Sequence, residues 1–267
     1  MTVKRIHYYH ADGSSVGGFI TLPSPKIIPT QAAVSLPAAG GSTSSAGGVL
    51  EFDGIVSCSR TETHSSGSEN IDGGWSTLIS STVENVNIRN AVTADLLVAQ
   101  VSIDHPADGY VPTVTFVGSQ FVNLRIGGVL VEPVINTGLL TPDPGHLETP
   151  WLKKDGFLTT IRKQAAGRKS HGKPNWVADV FPVADPTKKI DDKGYVLCSL
   201  VDNIPGEFPG EAHGHVVRVP DVGKFYFGEV LVDHGAFRLT MIRAELGSPV
   251  TGTMTMASGN NNGHTDP

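Results

Sequence analysis

The sequence predicts an all-β protein: an antiparallel sandwich or jelly-roll-like barrel carrying one loop-and-helix insertion. Three observations point there. Short runs rich in Val, Ile, Thr and Phe succeed one another with period-two alternation. Turn signals such as Asp72–Gly74, Ala107–Tyr110 and Gly127–Gly128 separate them, with no helical pattern between. The composition is turn-rich and charge-poor: 31 Gly and 18 Pro among 267 residues, with 17% charged. A chain of this length can bury a sizeable core, and it reads as a single all-β domain spanning 1–267.

Residues 1–48 read as an extended arm. Pro23, Pro25, Pro29 and Pro37 interrupt its short apolar runs, and proline suits edges and connections because it lacks a backbone donor. Ala38 to Gly48 reads as a Gly/Ser/Ala linker or hairpin loop. Within the arm, His7, Tyr8, Tyr9 and His10, with Asp12, form an aromatic and imidazole cluster suited to packing, or to stacking on a sugar or a protein.

Residues 49–135 read almost wholly as strands. Leu97, Ala99, Val101 and Ile103 share one face, and a bulge or turn is expected near Gly118–Gln120. Residues 136–193 form a basic insertion. From 151 to 193 ten Lys/Arg face five Asp, a net of +5, which leaves −11 on the rest of a chain whose formal charge is −6. The one expected helix lies here, roughly Thr149 to Gln164, with Pro150 near its start and Gly167 as a stop. If the segment is an exposed arm, it can dock on the acidic body of another copy, with Trp151, Phe157 and Trp176 as apolar anchors. The competing account is that it folds back on its own sheet. Strands return from 194 to 257, and residues 258–267 read as a flexible tail.

The blocks STVENVNIRNAVTADLLVAQVSIDHP and VTFVGSQFVNLRIGGVLVEP resemble the bacterial choice-of-anchor P family proteins. The pattern is carried by Thr93, Ala94 and Asp95, then Gly118, Ser119, Asn123, Leu124 and Gly127. The resemblance covers about residues 50–135 and 195–255. It implies an all-β, extracytoplasmic or surface-related protein, and supplies no catalytic residue.

Other features bound the function. The net negative charge argues against a nucleic-acid binder. No apolar run is long enough for a transmembrane helix. No secretory signal is visible at the start, so a cytoplasmic location, or export without a conventional signal, is expected. Cys58 and Cys198 are either two buried thiols or one disulfide. In GEAHGHVV, His213 and His215 at i, i+2 would share one face of a strand, with Glu211 in phase, so a divalent metal is conceivable as cofactor; otherwise no cofactor is expected. The arrangement weakly resembles the histidine-bearing strand of cupins, but only two ligands are convincingly placed. Asp104–His105, with Asp95 and His64, offer fragments of a triad with no nucleophile elbow. The leading expectation is a self-assembling or surface-associated structural protein that forms a homo-oligomer. The alternatives are a cupin-like metal enzyme and a ligand-binding β-barrel using the His213/His215 strand.

Overall fold

The structure, a computed structural model, describes residues 5–109, 111–140, 151–153, 155–168, 176, 195–233 and 235–266. In chain order the strands begin with β1 (Ile6–Tyr8), β2 (Ala11–Leu22), β3 (Lys26–Gln31), β4 (Val34–Ser35), β5 (Gly41–Gly47), β6 (Leu50–Phe52) and β7 (Val56–Cys58). Next come β8 (Arg60–Glu69), β9 (Trp75–Ile88), β10 (Val92–His105), β11 (Thr113–Thr115), β12 (Gln120–Val122), β13 (Arg125–Ile126), β14 (Val129–Leu130) and β15 (Val134–Ile135). A 3-10 turn (Trp151–Lys153) and helix α1 (Asp155–Arg168) follow. The chain then returns to β16 (Tyr195–Ser199), β17 (Val201–Asn203), β18 (Glu211–His213), β19 (Val216–Val219), β20 (Gly223–Asp233), β21 (Phe237–Leu246), β22 (Thr251–Asn261) and β23 (His264–Asp266). Among the described residues strand accounts for 62% and helix for 6%.

Two antiparallel sheets face each other. The first runs β14-β13-β10-β9-β7-β6, with β8 and then β5 along the other part of β9, and β11 and β12 along β10. The second runs β18-β19-β20-β21-β22-β2-β3, with β16 beside β20 and β4 beside β2. Strands β2, β21 and β22 pack against β8, β9 and β10, and the core lies between them. This is the expected sandwich; no closed barrel forms among the described residues. Leu97, Ala99, Val101 and Ile103 are all buried, and the turn at Val117–Gly118 falls where the sequence placed it. Both cysteines are buried thiols, and they form no disulfide with each other.

Three sequence expectations are corrected. Residues 1–48 are no detached arm: β2 lies inside the second sheet, paired with β22 on one side and β3 on the other. The Gly/Ser/Ala stretch is a strand, β5, paired with β8 from Gly41↔Gly67 to Gly47↔Thr61. The flexible tail is largely structured: Gly259, Asn260 and Asn261 belong to β22, and β23 pairs with β1. Tertiary pairing overrides weak local propensity in each case.

The core phase of several strands slips by one residue at a common level. Core positions change parity at Gly228 in β20, Met241 in β21, Ala257 in β22 and Ser15 in β2, and the ladder skips those pairs. Gly228 and Ala257 hold φ of 62° and 49°, so a left-handed residue turns the strand over at alternate steps of this crease. In the facing sheet the slip falls between Asn85 (φ 53°) and Asp95. The inner face near the crease is lined by small polar groups. The Ser15 hydroxyl lies within hydrogen-bond reach of Thr63 (3.0 Å) and Ser81 (3.1 Å).

Close approach of the sheets also requires glycine. A Cβ on Gly13 would sit 2.6 Å from the Ser258 carbonyl oxygen and 2.7 Å from Ile79 Cδ1. Gly13→Ala should therefore lower stability by about 1–3 kcal/mol, the usual cost of overpacking. A shift of the chemical-denaturation midpoint at unchanged m-value checks this.

Candidate functional site

The crease builds the most charged buried constellation of the described residues. In β20, Phe225 and Phe227 point into the main core, and so do Val230 and Val232. The slip at Gly228 therefore leaves Tyr226 and Glu229 together on the opposite face, where regular alternation would send Glu229 inward. Arg243 of β21 pairs opposite Tyr226 and reaches across to Glu229 with two charge-assisted bonds, Nε to Oε2 at 2.6 Å and Nη2 to Oε1 at 3.0 Å. Its Nη1 donates to Glu245, and its guanidinium lies 3.6 Å from the centroid of the Tyr226 ring. Tyr226 donates its hydroxyl proton to Glu245 at 2.9 Å. His215 Nε2 stands 4.0 Å from Glu229 Oε1.

Burial by itself would raise the Glu229 carboxyl, but the neighbouring His215 and the hydrogen bonds and charge of Arg243 outweigh it and hold the group down at about 2. Burial and the neighbouring Glu245 push the Tyr226 phenol up. A carboxylate fixed in its ionised form and a phenol fixed in its protonated form are poorly matched to proton transfer near neutral pH. The arrangement is an ion-pair clamp tying β20 to β21 and to the β18–β19 turn.

The structure corrects the shared face expected of His213 and His215. His213 ends β18, Gly214 (φ 59°) and His215 form a two-residue hairpin turn, and Val216 opens β19 opposite His213. The turn breaks the period of two. His213 meets the edge of the Trp176 ring at 5.2 Å, while His215 turns to Glu229. Glu211 accepts a hydrogen bond from Trp176 Nε1 at 2.6 Å. Among the described residues no three His, Cys, Asp or Glu side chains form a metal-holding group.

Trp151, Phe157 and Trp176, expected as anchors between copies, are buried within their own chain. Trp151 bonds the Pro112 carbonyl through Nε1 at 3.1 Å and meets Phe157 edge-on, both within the main core. Trp176 packs with Val216 and Tyr226 over the outer face of the second sheet. The folding-back account therefore describes these three. The insertion's helix is α1, close to the expected span. Residues 141–150, 154, 169–175 and 177–194, with most of the basic charge, lie outside the described residues.

A second cluster joins β1 to the end of the first sheet. His7 is buried against Tyr9 (4.7 Å, edge-on), Trp75 (5.3 Å, stacked) and His105 (4.6 Å). Its Nδ1 bonds the Thr265 hydroxyl at 2.8 Å. Asp104, by contrast, accepts from Ser76. Adjacent strand residues face opposite ways, so Asp104 and His105 do not act as one pair. Asp95 is exposed and accepts from Asn123 at 2.6 Å. The Ser119 hydroxyl bonds both backbone groups of Gln100, and a Cβ on Gly127 would strike Pro209. The quoted motif residues thus hold the loops after β10 in place.

Residues 7–233 match a family described as a domain of unknown function, DUF8256. The chain belongs to this family. The match includes His7, His105, His213, His215 and Glu229, and it ends at Asp233, before Arg243 and Glu245 of this DUF8256 chain. No curated protein and no solved structure matches the chain.

Proposed function

We propose that this DUF8256 chain is a structural and interaction β-sandwich that works by associating with copies of itself. One observation carries the reading. Phe19 of β2 and Ile27 of β3 are directly paired neighbours on the outer face, 49% and 79% exposed, and Leu22 at the end of β2 is 53% exposed. Isolated exposed apolar residues are ordinary, but adjacent large ones on a flat sheet mark a contact surface. The resemblance to choice-of-anchor P proteins supports the same reading and adds association with a surface. The clamp around Glu229 fits it too, since its charges are engaged inside the chain.

Light scattering on the whole chain at micromolar concentration tests the proposal. An oligomer is expected, and Ile27→Glu should shift it toward monomer while the dichroism spectrum stays unchanged. A strict monomer in low and moderate salt overturns the reading.

A further inference from the structure

The ribbon of β1 and β23 keeps one face on the core and turns the other to a cleft. His7 and Thr265 are its inward pair, bonded to each other, with the His7 ring on Trp75 and His105. Alternation then sets Ile6, Tyr8 and His10 outward along the first strand, and His264 and Asp266 outward along the last. Tyr8, His10, Asn262, His264 and Asp266 line a cleft of about 500 Å³, within the ~300–1,000 Å³ usual for small-ligand sites. Tyr8 and His264 stand directly opposite in the ladder with their rings stacked at 5.3 Å, and both stay exposed. The walls are fixed. Tyr9 donates its backbone N–H to the Ala38 carbonyl at 3.0 Å, and its ring fills the space where a Cβ on Gly40 or Gly67 would strike it. Asn262 donates its backbone N–H to the His10 carbonyl at 2.9 Å, and its side-chain oxygen bonds His10 Nδ1.

The chemistry of these groups selects a ligand class. An amide oxygen only accepts, so His10 Nδ1 carries the proton of that bond and Nε2 of the neutral ring accepts. The Asn262 amide nitrogen donates, and the Asp266 carboxylate accepts. His264 Nε2 and Asp266 Oδ1 are 4.0 Å apart, a spacing that one hydroxyl can bridge. Among the described residues no Lys or Arg lines the cleft, so it is not built to hold a phosphate or a carboxylate. An organic cation would use the rings and the carboxylate but would leave the Asn262 donor idle. A pyranose uses every group: its C–H face lies on an aromatic ring, and its hydroxyls both donate and accept at the rim.

The geometry points to this cleft as a binding site for a neutral saccharide. Tyr8 and His264 form the platform, and His10, Asn262 and Asp266 take the ring hydroxyls. The site does not involve Phe19 or Ile27, so it stands or falls apart from the self-association proposed above.

Saturation-transfer NMR on the whole chain, with the methyl glycosides of glucose, galactose, mannose and N-acetylglucosamine as probes, tests the assignment. At least one glycoside should show transfer to its ring C–H protons at millimolar concentration. Tyr8→Ala should weaken that binding on the order of 10-fold, and Tyr8→Phe should keep it, because the ring makes the contact. Asp266→Asn should weaken it about 10-fold, the loss of a hydrogen bond to a charged group. Asp266 is exposed, so this variant decides the matter even where Tyr8→Ala fails to fold. Ile6→Ala, at an exposed residue of the same face outside the cleft lining, should bind as the parent does. No transfer from any of these glycosides overturns the assignment. So does binding that survives both Tyr8→Ala and Asp266→Asn, or tetramethylammonium competing better than every glycoside, which marks a cation site instead.

Discussion

Replacing Arg243 by Ala should cost about 3–5 kcal/mol of stability, the usual result of stranding one member of a buried ion pair. Glu229 is buried, and two of its hydrogen bonds come from Arg243. Without the guanidinium, burial would drive the carboxyl up, and the site would fill with an unsatisfied charge or an unpaired acid. At roughly 2–4 °C per kcal/mol for a domain of this size, the melting temperature should fall by about 6–20 °C. Arg243→Lys should recover little, since an ammonium cannot reproduce the two-pronged contact with Glu229 and the stacking on Tyr226. The double variant Arg243→Met with Glu229→Met should recover most of the loss, because an apolar pair removes the buried charges together. A single Arg243→Ala variant within 1 kcal/mol of the parent would show that the clamp contributes nothing.

Part of that clamp was legible in the sequence. In FYFGEVLV the apolar phase jumps from Phe225 and Phe227 to Val230 and Val232, and a glycine stands at the jump. That spacing places Glu229 off the core face. Its partner was not legible, because Arg243 meets it only through the β20–β21 register, which no local pattern encodes. The histidine pair was misread for a related reason. Period-two reasoning assumes an unbroken strand, and Gly214 in the left-handed region ends it between the two rings. Composition misled at the chain's Gly/Ser and Gly/Asn stretches. GSTSSAG has poor strand propensity and is held by β8. Gly259 and Asn261 lack apolar surface, yet the first must be small against Ile79 and the second bonds the Thr77 carbonyl. The all-β class and the faces of β10 were readable because hydrophobic alternation there is strong and local.

Stability should also fall as pH drops from about 6.5 to about 4, through His7 and His105. Burial is the main cause for both, and each is lowered from 6.5 to about 4. The charged neighbours add to it: His264 acts on His7, while His7, Arg5 and His264 act on His105, all of one sign. The nearby carboxylates are directed elsewhere. Asp266 lies 4.0 Å from His264, Asp104 bonds Ser76, and Glu69 acts on Tyr9. Tyr9, Trp75 and Thr265 fill the remaining contacts of His7 with neutral groups. Neither Nε2 has a hydrogen-bond partner among the described residues to receive an added proton. The sign follows from linkage. Between pH 6.5 and 4 the unfolded chain binds protons that the folded chain refuses, so lowering pH draws the equilibrium toward unfolding. A shift of this size corresponds to on the order of 3 kcal/mol for one such histidine, and two rings 4.6 Å apart titrate as a coupled pair. The Glu229 contribution is lost only lower, between about 4.5 and 2, so the two windows separate. Urea midpoints measured from pH 8 to pH 4 should decline most steeply below 6.5, and His105→Phe, which keeps a ring and removes the titration, should flatten that decline. A parent chain equally stable at pH 7 and pH 4.5 would remove the histidine pair from the account of its acid sensitivity.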